Sequence, residues 1–275
     1  MSQAPQGRQH SAKALLYTIL GELVLPAGGS AWTSTLLDAF GLLGITEKNA
    51  RQALARVADQ GMIESRRHGR EARWELTPAG RKLLEAGAER IYGFGAAPMA
   101  WSGEWLLAHC PVPEAQRSLR HRLRTQLSFE GFGELSASLA VSPHAEREAR
   151  LRQILDSLGL VQECVVLQCR TASPAADLDL ARRAWDLDAL AARYRAFSRL
   201  HAERPATGPE ASFQAVVELV HDWRHFASID PELPPELLPA DWAGAGARSV
   251  FHGCHARWAR GAVEWFGQRD MARRP

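Results

Sequence analysis

The sequence predicts a multidomain α+β protein, and three observations carry that expectation. A helical period with a stripe of small residues runs from Thr46 to Gly61 and leads into two strand-like runs around a basic glycine turn. The middle of the chain alternates short apolar runs with amphipathic stretches in the order β-α-β-β-α-β. Beyond about residue 178 the periodic segments are helical. The expected architecture is an N-terminal winged helix-turn-helix over 1–92, a central ferredoxin-like domain over 99–174 and a C-terminal helical domain over 178–271.

In chain order, residues 1–12 read as a disordered arm. Leu15, Leu16, Ile19, Leu20 and Leu23 give the stretch from Ala14 to Leu25 an apolar helical face, ended by Pro26-Ala27-Gly28-Gly29-Ser30. Trp32 to Leu43 is a second helix, and Gly44-Ile45 a turn. Thr46 is an N-cap and Gly61 a C-terminal stop for the third helix. Its apolar stripe is Ala50, Ala53, Leu54, Val57 and Ala58, so the helix must pack closely on a neighbour. Its other faces carry Lys48, Asn49, Arg51, Gln52 and Arg56, donors suited to phosphates and base edges. Met62-Ile63 opens a strand, Arg66-Arg67-His68-Gly69-Arg70 is expected as a turn, and Arg73-Trp74-Glu75-Leu76 alternates like a returning strand. Four basic side chains around one glycine turn repel each other unless a polyanion meets them. Helix, tight hairpin and basic tip outline a wing beside a recognition helix. Thr77-Pro78 starts a further helix to Tyr92 by cap and N1 proline, and 93–98 reads as a linker.

In the middle block, Trp105–His109 and Glu163–Cys169 are outer strands, with Phe132–Ser136 and Leu139–Ser142 between. Glu114–Leu127 and Pro143–Leu158 are the two helices. In the last block, helices are expected from Trp185 to Phe197, Ala211 to Phe226 and Arg248 to Phe266, with a proline-punctuated connector over 230–239.

Charge is uneven. Residues 1–92 carry 12 Lys and Arg against 9 Asp and Glu, net +3, whereas 93–175 are neutral and 176–275 net −1. The positive excess therefore sits with the candidate DNA-binding segment. No apolar run reaches the ~20 residues of a membrane span, and the polar N-terminus has no signal-peptide pattern. Cys110, Cys164, Cys169 and Cys254 are too sparse for a disulfide framework and lack zinc-ligand spacing, although His252-Gly253-Cys254-His255 comes closest. A cytoplasmic protein with reduced thiols, no metal and no cofactor is expected. No nucleophile elbow, Walker loop or dinucleotide fingerprint occurs, so no catalytic residue is assigned. His221 beside Asp222 is expected to be structural, because adjacent helical residues face different ways.

Several strings carry a resemblance across the whole chain: GELVLPAGGSAW (21–32), TEKNARQALARVADQG (46–61), RRHGREARWELTPAGR (66–81), WDLDALAARY (185–194), VHDWRHF (220–226) and DPELPPELLPADWAG (230–244). They resemble the PaaX-like regulators, the phenylacetate-degradation repressors. The resemblance implies a central domain similar to Cas2 nucleases and a homodimer that binds double-stranded operator DNA. It further implies repression of an aromatic-acid catabolic operon, relieved by an aryl acyl-CoA such as phenylacetyl-CoA. Asn49, Arg51 and Gln52 are then expected at base edges. Lys48, Arg56, Arg66, Arg67 and Arg70 are expected at phosphates, with His68 and Arg73 in the same DNA-binding set. Trp185, Arg193, Tyr194, His221, Arg224 and Trp242 are expected around the effector. Two alternatives remain open: a metal-dependent nuclease of the Cas2 type, and an effector-independent DNA-binding scaffold. Against the nuclease, Leu107-Ala108-His109-Cys110 has no carboxylate where such enzymes keep a metal-binding aspartate.

Overall fold

The computed structural model describes residues 11–96 and 101–272. Most of the expected N-terminal arm and the end of the linker lie outside the described residues. Ser11 and Ala12, assigned to that arm, instead start a helix: the Ser11 hydroxyl accepts from the Ala14 N–H at 3.3 Å. The protein is mixed α+β, with ten α-helices and two antiparallel sheets among the described residues.

The chain divides into two compact units. One takes in the described residues through Phe94, with Ser198–Arg224 and Ser249 onward; the other is Gly95–Phe197 with His225–Arg248. Segments of the C-terminal helices thus contribute to both.

In the first unit, α1 (Ala12–Ile19) runs into a π-helical turn (Leu20–Val24), then β1 (Ser30–Trp32), α2 (Thr33–Leu42) and α3 (Glu47–Asp59) follow. A hairpin of β2 (Ile63–His68) and β3 (Glu71–Leu76) leads to α4 (Pro78–Gly93). Leu15, Leu16, Ile19, Leu36, Phe40, Leu54 and Val57 are buried together as the core of these helices. The sheet order is β1-β3-β2. Strand β1 corrects the sequence expectation, which put Trp32 inside a helix. Three residues are too few to show alternation, and the partner, Arg73 opposite Trp32, is distant in sequence. The hairpin turn is also tighter than expected. Arg66, Arg67 and His68 belong to β2, and only Gly69-Arg70 connects the strands, with Gly69 at φ +62°.

Two later helices complete this unit through parts of their length, α9 (Pro209–Ile229) and α10 (Ala243–Ala272). Trp223 stacks on Phe251 at 4.8 Å, and Phe213 packs at a tilt on Trp265 at 4.3 Å. A Cβ on Gly261 would stand 2.7 Å from the Ser212 hydroxyl, so glycine permits this approach of α10 to α9. Polar bonds tie them to the N-terminal helices: the Gln214 amide donates to Leu42 O at 2.6 Å and the Trp223 indole to Ile91 O at 3.1 Å.

The second unit holds β4 (Trp105–His109), α5 (Arg117–Phe129), β5 (Gly133–Ser136), β6 (Leu139–Ser142), α6 (Glu148–Ser157) and β7 (Val165–Cys169). This is the expected β-α-β-β-α-β order, in a sheet ordered β5-β6-β4-β7. Strand alternation sorts β4 between two cores. Leu106 and Ala108 pack with Leu123, Leu127, Leu151 and Ile154 of α5 and α6. Trp105 faces the other way and joins Val141, Ala181, Leu187 and Leu237. Ala181 lies on α7 (Pro174–Ala184), a helix the sequence reading passed over, and Leu187 on α8 (Leu187–His201). The signal for α7 was present: the Ser173 hydroxyl accepts from the Ala176 N–H at 3.3 Å and Pro174 occupies the first turn. Among the described residues no helix is long and apolar enough to cross a membrane, and no group of three His, Cys, Asp or Glu side chains is placed to hold a metal ion.

Candidate nucleic-acid interface

α3 owes its placement to its cap and its stripe. The Thr46 hydroxyl accepts from the Asn49 N–H at 3.4 Å, and Gly61 leaves the helix at φ +70°. Ala50, Ala53, Leu54 and Val57 are buried, so the orientation of the helix about its axis is fixed. That leaves Lys48, Asn49, Arg51, Gln52 and Arg56 exposed together. Arg51 bonds to Glu47 one turn back at 2.8 Å, an exposed pair that costs little to break.

The hairpin is anchored at both ends. At its base, the Thr77 hydroxyl donates to Gly61 O at 2.6 Å, and the Thr77 N–H to Met62 O at 3.1 Å. The first turn of α4 then crosses Met62 so closely that a Cβ on Gly80 would lie 1.9 Å from Met62 O. Along β3, the Trp74 indole donates to the Thr33 hydroxyl at 3.0 Å, which donates to Ala72 O at 2.8 Å. These bonds fix the hairpin against the start of α2.

The basic residues of the hairpin are not equivalent. Arg66, Arg67, His68 and Arg70 are all exposed. Arg66 meets Glu64 at 2.9 Å and Glu75 at 3.1 Å, and these carboxylates hold its guanidinium above its ordinary pKa. The sequence argument from mutual repulsion therefore fails for Arg66: Glu64, two residues along the same strand, and Glu75, diagonal to it on the partner strand, neutralise it. Arg67 and Arg70 have no acidic partner among the described residues and project as free cations. His68 lies edge-on to Trp32, ring centroids 5.4 Å apart. Arg73 is turned inward. Its Nε donates to the Ser30 hydroxyl at 2.9 Å, its guanidinium lies 5.1 Å from the centre of the Trp32 ring, and it pairs with Asp270 of α10. Arg73 holds the sheet together, and its place in the DNA-contacting set is withdrawn.

The six residues expected around an effector are divided between the two units. His221 and Arg224 belong to the first unit, where His221 Nδ1 lies 3.4 Å from the Thr18 hydroxyl and Arg224 donates to Ala14 O at 3.1 Å. Burial lowers the Arg224 pKa. Asp222, next to His221, turns instead to His201 at 3.0 Å. Trp185, Arg193, Tyr194 and Trp242 belong to the second unit. There Tyr194 stacks on Phe226 at 4.1 Å, meets Trp242 edge-on at 5.8 Å and donates to Asp230 at 2.5 Å. Arg193 is exposed, and Trp185 stacks on Trp105. Sequence reasoning missed Ser30, Trp32, Thr33 and Asp270, the residues that position the hairpin. Only their long-range partners reveal them, and no local pattern does.

Comparison with known proteins covers the chain in three consecutive segments. Residues 11–80 match the PaaX-like protein family, 98–181 the PaaX protein central Cas2-like domain, and 185–268 the PaaX-like protein C-terminal domain. The chain is 29% identical over 273 residues to the transcriptional repressor PaaX of Escherichia coli (strain K12), covering 94% of this chain and 84% of that protein. It is also similar to the solved structure of an uncharacterized protein from Mycobacterium tuberculosis, with a TM-score of 0.61 and 25% identity, covering 93% of this chain and 98% of the other. With its three segments matched in order and a repressor related along nearly its full length, the chain belongs to the PaaX-like family.

Proposed function

We propose that this protein is a DNA-binding transcriptional repressor of the PaaX type, not an enzyme, whose first unit carries a winged helix-turn-helix. In this reading α3 is the recognition helix and β2–β3 the wing. The observation that carries it is the shared exposure of the α3 donors with Arg67 and Arg70 at a rigidly held hairpin. Asn49, Arg51 and Gln52 read base edges, while Lys48, Arg56, Arg67 and Arg70 meet phosphates. Arg66 joins them by exchanging its carboxylate partners for the polyanion, and His68 lies at the edge of the same surface.

The protein acts as a homodimer on two half-sites about one or two helical turns apart. It controls an aromatic-acid catabolic operon and is released by an aryl acyl-CoA, with phenylacetyl-CoA the first to test. The relation to a named repressor along most of the chain supports this. A Cas2-type nuclease finds no support, because β4 ends at His109 and is followed by Cys110, where that chemistry needs a carboxylate. The test is a footprint on the DNA flanking the protein's own gene, with and without phenylacetyl-CoA. A protected two-fold site that opens on adding the thioester supports the reading. Uniform weak protection that ignores the thioester opposes it.

A further inference from the structure

The second unit contains an open groove of about 740 Å³ between α5 and the β5–β6 hairpin, lined also by Trp185 at the junction of α7 and α8. That volume falls in the range of small-molecule sites, roughly 300–1,000 Å³. Gly133 makes the junction possible: a Cβ there would lie 2.6 Å from the Trp185 ring and 2.7 Å from Ala184.

The lining has two chemistries. Phe129, Phe132 and Trp185 are apolar, and Phe129 is 54% exposed. Arg120, His121 and Arg124 lie within about one turn of α5 on the same lining. Arg120 is held by Glu114 and Arg124 by Glu134, each at 2.6 Å. Arg124 is 60% exposed, and so open a pair is weakly held against a phosphate or carboxylate that offers the same bidentate geometry.

We propose that this groove is the effector site of the protein, taking an organic anion that joins an aromatic group to phosphate or carboxylate charge. The aromatic group lies against Phe129, Phe132 and Trp185, and the anionic part meets Arg120, His121 and Arg124. The proposal rests on the reading of the chain as a ligand-released regulator. It moves the site away from the six residues expected from sequence, of which only Trp185 lines the groove.

The test is calorimetric titration of phenylacetyl-CoA into the full chain, with CoA and free phenylacetate as separate arms. Ser128→Trp, at an exposed lining position on α5, fills the groove, and Arg124→Gln removes one cation. Both are expected to weaken phenylacetyl-CoA binding at least tenfold, with the unliganded melting temperature confirming that each variant folds. Arg193→Gln, at an exposed position outside the lining, is the comparison and is expected to bind as the parent does. Loss of CoA or phenylacetate binding in the same two variants supports the groove and shows which half of the ligand it holds. Full binding by both groove variants overturns the location and leaves the ligand-release reading standing. Failure of the parent protein to bind any of the three probes overturns both.

Discussion

Arg73, in the strand that returns from the hairpin tip, pairs with Asp270 near the end of the last helix, with Nη2 and Oδ2 3.4 Å apart. Their side chains are only 18% and 15% exposed, so this is not a solvated surface pair. The other oxygen of Asp270 accepts from the Trp32 N–H at 2.9 Å. One carboxylate thus holds two strands of the sheet that carries the hairpin.

Removing that carboxylate has a structural cost. Asp270→Ala leaves a largely buried guanidinium and a backbone N–H without their partner, and is expected to destabilise the protein by about 2–4 kcal/mol. Urea denaturation followed by tryptophan fluorescence measures this. A loss within a few tenths of a kcal/mol, as for an exposed pair, would show that the contact does not hold the sheet.

The two arginine classes are expected to fail differently on DNA. Arg51→Ala should cost on the order of 1–3 kcal/mol on the operator and relax preference at one base position. Arg67→Ala should weaken binding to all sequences alike and reduce the salt-dependence slope by about one. Titrations on operator and random duplex across a salt series separate them. Identical behaviour of the two variants would remove the distinction between helix and wing.

Gly80 tests the seating of the hairpin base. A methyl group there would meet Met62 O, a backbone atom that moves only if the hairpin moves. Gly80→Ala is expected to cost about 1–3 kcal/mol despite the better helix propensity of alanine. A thermal melt at or above that of the parent would contradict the packing described.

Asp230 gives a pH dependence with a definite sign. Burial raises its pKa, and the hydrogen bond from Tyr194 only partly offsets this. The folded state therefore holds the proton more tightly than the unfolded state. Stability from this group is greatest at low pH and declines as pH rises from the ordinary carboxylate range through the raised folded value. Asp230→Asn should abolish that decline while keeping an acceptor for Tyr194. Denaturation from the ordinary carboxylate range up to neutral pH, parent against variant, checks it. A parent that gains stability relative to the variant over that span would reverse the sign.

The parts legible in the sequence were those set by local rules. Thr46 and Gly61 marked α3, its apolar period gave the buried face, and the glycine at position 69 gave the hairpin. The β-α-β-β-α-β succession was legible because each run is four residues or more. β1 was not, since three residues show no period and its order depends on Arg73 and Asp270. α7 was passed over because Asp177, Asp179, Arg182 and Arg183 dilute its apolar period, although only Ala181 and its neighbours need to be buried. For the residues expected around an effector the sequence showed side-chain chemistry but not partners: Tyr194, His221 and Arg224 bond to Asp230, Thr18 and Ala14, which no local pattern announces.

The central claim, that the duplex lies across α3 and the hairpin, is tested most directly by charge reversal read out as operator affinity by fluorescence anisotropy. Arg67→Glu in the hairpin is compared with Arg122→Glu on α5, both exposed and without an acidic partner among the described residues. The account expects at least a tenfold loss for Arg67→Glu and a change within about twofold for Arg122→Glu, since one lies among the phosphate contacts and the other in the second unit. Equal losses, or a loss confined to Arg122→Glu, would contradict it.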